Sequence, residues 1–103
     1  MWAQLITTRL KAGREGDLPV LIDQLRATEQ AGSGLVRSIA MQDQNDPSSV
    51  YMLVVFESEA AARSRETDPR REEGMQAARA TMAEIFETPP EFVDLTVAGE
   101  VAP

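Results

Sequence analysis

The side chains able to do chemistry in this chain are arginines, carboxylates and a phenol, because its 103 residues include no histidine and no cysteine. Without histidine there is no ordinary general base near neutral pH, no Ser-His-Asp arrangement and no usual axial ligand for haem or non-haem iron. Without cysteine, disulfides, thiolate zinc sites, iron–sulfur ligation and a thiol nucleophile are excluded as well. Tyr51, the one tyrosine, offers a phenol for proton transfer. Arg63, Arg65, Arg70, Arg71 and Arg79 place half of the ten basic residues in one short region, interleaved with Glu66, Asp68, Glu72 and Glu73. A fixed guanidinium beside an apolar cavity binds an enolate, phenolate or carboxylate, whereas the same residues on a charge-paired helix face are merely solvated. The remaining carboxylates are scattered, with no spacing that pairs two of them as an acid and a base.

The elements that must position these groups follow from the apolar pattern. Trp2 to Lys11 carries the β-branched cluster Ile6, Thr7 and Thr8 and ends at Gly13, which predicts a first strand. From Asp17, which is placed to cap it, Leu18, Leu21, Ile22 and Leu25 recur at helical spacing until the glycines at 32 and 34. Leu35 to Gln42 alternates, with Leu35, Arg37, Ile39 and Met41 on one face, and the turn residues 43–49 lead into the apolar run Val50 to Phe56. These two strands form a hairpin, and the second, apolar on both parities, needs cover on both faces. Ser58 caps a short helix over 60–65, broken at Asp68-Pro69. A longer helix over about 70–87 turns Met75, Ala78, Met82, Ile85 and Phe86 inward and leaves Arg71, Glu72, Arg79 and Glu84 in solvent. Phe92 to Val97 is the last strand, and residues 98–103 read as a tail.

The order is βαββαβ, a single α+β domain spanning 1–103 with a four-stranded antiparallel sheet of ferredoxin-like type. Its helices cover one sheet face. The other face, with Leu5, Tyr51, Leu53, Val55, Ile39 and Leu95, is most simply covered by a second copy of the chain, so a homodimer is expected. A formal charge of −7 opposes nucleic acid and anionic lipid as partners. No stretch approaches the roughly 20 apolar residues of a membrane span, and no leader pattern opens the chain, so a cytoplasmic domain is expected.

Several segments together resemble the antibiotic-biosynthesis-monooxygenase domains. They are Leu10 to Glu15 closing the first strand, Ser33 to Arg37, the Asp46-Pro47 hairpin, Val54 to Ala61, Asp68-Pro69, and Pro89-Pro90-Glu91 before the last strand. The resemblance covers nearly the whole chain and implies pairing as a dimeric α+β barrel. It also implies a pocket between sheet and helices lined by Gln4, Ile6, Thr8, Met52, Val54, Phe56 and Arg65, with Met75 and Met82 arriving from the long helix. The activity it implies is a cofactor-independent monooxygenase or isomerase acting on a small hydrophobic or phenolic or anionic molecule, with no metal and with Arg65 as the catalytic cation stabilising an anion. Haem-degrading members of the family carry an iron-ligating histidine where this chain has Arg65, a tryptophan at Phe56 and an asparagine at Ile6. A guanidinium has no lone pair, so iron ligation at Arg65 is excluded. Beside this stands plain core packing for Ile6, Val54 and Phe56, and with it a non-catalytic dimeric binding or assembly module, which the absence of histidine and cysteine favours.

Overall fold

A computed structural model describes residues 1–103. Strand β1 (Trp2–Arg9) leads through a single 3-10 turn into helix α1 (Leu18–Ala27), followed by β2 (Leu35–Asp43) and β3 (Asp46–Phe56). Helices α2 (Glu59–Glu66) and α3 (Pro69–Ile85) and strand β4 (Glu91–Thr96) complete the order. The sheet runs β2-β3-β1-β4, every neighbour antiparallel, as expected for the ferredoxin-like α+β class.

The helix boundaries have local causes. The Ser58 hydroxyl accepts from the Ala61 N–H at 3.1 Å, and the Asp68 carboxylate accepts from the Arg70 N–H at 2.9 Å, with Pro69 in the first turn where its missing donor costs nothing. Asp17 differs from expectation: it stands at the start of α1 but pairs with Arg14 instead of capping the helix. Gly34 (φ +82°) lies so close to α2 that an added Cβ would come within 2.6 Å of the Ala61 Cβ, so a left-handed turn and a side-chain-free approach are both needed there.

Residues of even number on β1 and β3 face the helices, because Trp2, Gln4, Ile6 and Thr8 lie opposite Phe56, Val54, Met52 and Val50. The core forms two clusters on that side. Leu10, Leu18, Leu21, Val50, Ala78 and Ile85 make one, with Met52, Met75, Met82 and Phe86 against it; Trp2, Val54, Phe56 and Ala62 make the other, with Ile6 and Leu35 against it.

Three sequence-based expectations are corrected. The strand after the hairpin begins at Asp46, four residues before Val50, because an irregularity in the β2–β3 ladder admits Pro47, which has no N–H to give to it. A second irregularity between Leu35 and Arg37 leaves Leu35 opposite Phe56, on the helix side, and not on the face of Arg37, Ile39 and Met41. Arg71 is only 7% exposed, not solvated, because the spacing of Met75, Ala78, Met82 and Ile85 continues one turn back to it. Its guanidinium donates to the Arg65 carbonyl at 3.1 Å and to the Thr28 hydroxyl at 3.4 Å, tying α3 to the end of α2 and to α1. Burial and the nearby Arg65 charge both lower its pKa from the usual guanidinium value.

Candidate functional site

The candidate residues from the sequence divide between core and rim. Val54 and Phe56 are buried in the second core cluster, and Met52, Met75 and Met82 are partly buried against the first, as Ile6 is against the second. Thr8 donates its hydroxyl to the Thr88 carbonyl at 3.1 Å, at the sheet edge. Gln4 and Ile6, by contrast, sit beside β4, where no residue of the strand is buried on either side.

That strand's exposure makes a shelf on the helix side of the sheet. Ile6 lies opposite Phe92, which is 58% exposed, and Gln4 lies opposite Asp94. The Gln4 amide donates to one Asp94 oxygen at 3.0 Å, and Arg63 of α2 donates to the other at 2.9 Å. Arg63 is held further by Glu66 at 3.0 Å and Glu59 at 3.3 Å. The Gln4 amide and the Arg63 guanidinium hold the Asp94 carboxyl below the usual carboxylate range, and Asp94 and Glu66 in turn raise Arg63. Around neutral pH the group is therefore a fixed carboxylate bridged to a fixed cation, beside two apolar side chains.

A ladder of cations and rings links this shelf to Arg65. Arg63 lies over the Trp2 ring, 5.1 Å from its centre; Trp2 and Phe56 meet at 6.1 Å, tilted by 47°; and Arg65 lies over Phe56 at 5.4 Å. The far end is closed by Glu29, which accepts from both the Nε and Nη2 of Arg65. Arg65 is thus neither a free cation at a cavity nor a solvated one. Its charge has an internal carboxylate partner, and an anionic ligand at Arg65 has to compete with Glu29.

Sequence reasoning missed Arg63, Phe92 and Asp94. Arg63 was visible only as one of a charge cluster, and the placement of Asp94 depends on the β1–β4 register, which sets positions 4 and 94 side by side. The even parity of strand four against the even parity of strand one carried that signal.

Two concavities lie away from the shelf. One of about 540 Å³ is lined by Thr7, Thr8, Arg9, Tyr51, Pro89 and Glu91 among others. Another of about 350 Å³ lies on the open sheet face between Ile39, Leu53, Val55 and Leu95 and the segment that follows β4. No cluster of three or more Asp and Glu side chains is arranged to hold a metal ion. No helix is long and apolar enough to cross a membrane.

No protein-family model and no curated protein matches the chain. Solved structures do. A protein of unknown function from Nitrosomonas europaea is 20% identical, with a TM-score of 0.75 over 99% of this chain and 93% of that one. A provisionally named antibiotic biosynthesis monooxygenase from Bordetella bronchiseptica is 17% identical, with a TM-score of 0.73 over 94% and 96%. A further antibiotic biosynthesis monooxygenase is 14% identical, with a TM-score of 0.70 over 96% and 100%. These likenesses extend over nearly the whole of each chain. The chain therefore has the fold of the antibiotic biosynthesis monooxygenase domains.

Proposed function

We propose that the chain is a homodimeric α+β barrel domain that binds a small aromatic molecule with a phenolic or other anionic group on the helix-side shelf and oxygenates it without metal or organic cofactor. The observation that carries this reading is the exposed Phe92 and half-buried Ile6 beside the Gln4–Asp94–Arg63 bridge: an apolar wall for a ring next to a cation for its oxygen. Asp94 is a weak base, since its pKa is lowered. The substrate is accordingly one acidic enough to ionise with only a hydrogen-bonded carboxylate to help, such as a polycyclic phenol or enol. Its anion reacts with dioxygen. For a ring methylene activated on both sides, the carbon becomes a carbonyl holding one oxygen atom, while the other leaves as water with the two methylene hydrogens. The substrate supplies all the electrons, so no external reductant is needed. Arg63 stabilises the oxyanion in exchange for one of its carboxylate partners Glu59 and Glu66, Phe92 and Ile6 hold the ring, and Arg65 stays paired with Glu29 over the Phe56 ring.

Dimerisation belongs to the same reading. Ile39, Met41, Tyr51, Val93 and Leu95 are all exposed on the sheet face opposite the helices, an apolar row of the kind that a second copy covers.

A second reading, a binding module without turnover, is favoured by the pairing of both nearby arginines with carboxylates. One experiment separates the two. Trp2, the one tryptophan, reports ligand binding by fluorescence while an oxygen electrode follows turnover, with polycyclic quinols, aromatic acids and phosphorylated small molecules as probes. The oxygenase reading expects a phenolic probe whose binding and oxygen uptake both fall in Arg63→Gln. Binding without oxygen uptake supports the module, and loss only in Arg65→Gln moves the anion site to Arg65.

A further inference from the structure

The 540 Å³ cavity at the far end of the sheet has a chemistry of its own, unconnected with the shelf. The β1–β3 and β1–β4 registers set Tyr51, Thr7 and Glu91 in one row across the sheet, with Thr7 in the middle. Neighbouring strands lie about 4.8 Å apart, so the phenol and the carboxylate start from backbones roughly 10 Å apart, over a short side chain between them. Pro89 and Pro90 add a wall whose backbone is held by their rings.

The groups left free in this cavity accept hydrogen bonds more than they donate them. Arg9 is its one cation, and that guanidinium is already bound by Asp46 at 2.7 Å, by the Ser49 hydroxyl at 3.0 Å and by Glu87 at 3.4 Å. The Thr8 hydroxyl is spent on the Thr88 carbonyl at 3.1 Å. Pro89 and Pro90 bring carbonyls but no N–H, and Glu91 brings a carboxylate to which Arg9 is not paired. One arginine thus stands among three carboxylates, Asp46, Glu87 and Glu91, on a chain whose formal charge is −7. Such a field draws in cations and repels anions. We infer that the cavity binds a small aromatic amine, its ammonium on the Glu91 carboxylate and its ring over Thr7 against Tyr51 and the two prolines. The acceptor-rich rim suits the three donors of an ammonium, and the phenol face suits a ring or the cation itself. An anion would have to displace a carboxylate from Arg9, whereas an ammonium displaces nothing.

Benzylamine, benzyl alcohol and benzoate have nearly one shape and carry positive, zero and negative charge at pH 7, so the three together read charge apart from ring. Each is titrated into the full-length labelled protein while backbone amide NMR follows the shifts. Tyr51 also belongs to the sheet face where a second copy is proposed, so the protein is used as it assembles, and a covered cavity counts as no binding. We expect saturable shifts at Thr7, Tyr51 and Glu91 with benzylamine, and affinities for benzyl alcohol and benzoate about fivefold weaker or worse, the scale of a partly exposed ion pair. Glu91→Gln should weaken benzylamine by a similar factor, and Arg63→Gln on the shelf should leave it unchanged. Circular dichroism checks that both variants are folded; the charge series on the unmodified protein needs neither. No saturable shift with benzylamine, equal affinity for benzyl alcohol, or tighter binding of benzoate would each overturn the amine site. So would a folded Glu91→Gln that binds benzylamine as tightly as the unmodified protein. Loss of benzylamine binding in Arg63→Gln would place the amine on the shelf and overturn the separate site.

Discussion

Replacing Phe56 by alanine separates core from site more sharply than any other single change. The ring is 4% exposed, packed on Trp2, Val54 and Ala62 and lying under Arg65. A phenylalanine buries ~150–250 Å², which at about 25 cal/mol per Å² corresponds to roughly 4–6 kcal/mol. Alanine retains part of this while the neighbours relax incompletely, so Phe56→Ala should cost about 3–5 kcal/mol. Phe92, mostly in water on the shelf, offers the contrast: Phe92→Ala should stay within about 0.5 kcal/mol of the unmodified protein. The assay is urea unfolding at a single fixed protein concentration, since dimer dissociation makes the midpoint concentration-dependent. The slope should be unchanged for Phe92→Ala. A loss below about 1.5 kcal/mol for Phe56→Ala would show that its ring is not core. An equal loss in both variants would show that β4 is covered where the structure leaves it open.

Leu53→Asp puts a charge at the centre of the open sheet face and should convert a dimer to monomer or unfold it, as read by light scattering; a monomeric unmodified protein at micromolar concentration would refute the premise. Gly74→Ala places a Cβ 2.9 Å from the Thr28 methyl at the α1–α3 crossing, and should lower stability by about 1–3 kcal/mol through overpacking, measured by urea unfolding. Asp68, held at about 2 instead of its ordinary 3.8 by the Arg70 guanidinium and then by the Arg70 backbone N–H, gives a pH dependence. Because the folded-state pKa is the lower one, the stabilisation is full above the unfolded-state pKa and is lost as pH falls from roughly 4 to 2. The stability difference between the unmodified protein and Asp68→Asn should therefore shrink across that window, and a constant difference from pH 6 to 2 would contradict the pairing.

Elements with strong periodicity were readable before any coordinates. Leu18, Leu21, Ile22 and Leu25 specified α1, Asp68-Pro69 separated α2 from α3, and the two-sided apolar run Val50 to Phe56 is an inner strand. Parity also placed Ile39, Tyr51, Leu53 and Leu95 on the face without helices. What escaped were departures from regularity and contacts at long range. Alternation alone cannot register the extra residue at Val36, which turns Leu35 to the helix side. Arg71 was assigned to solvent by its charge although helical spacing put it on the buried face, where carbonyl and hydroxyl partners accept it. The bridge from Arg63 to Asp94 joins residues 31 positions apart, and nothing local in either segment announces it.

The proposed site is tested most directly by backbone and side-chain amide NMR of the labelled protein, titrated with 2-naphthol as a probe aromatic phenol. Binding on the shelf predicts saturable shifts at Gln4, Ile6, Phe92, Asp94 and the Trp2 indole, reduced in Arg63→Gln. Shifts confined to Thr7, Tyr51, Leu53 and Val55, or no saturable shift at any shelf residue, would contradict it.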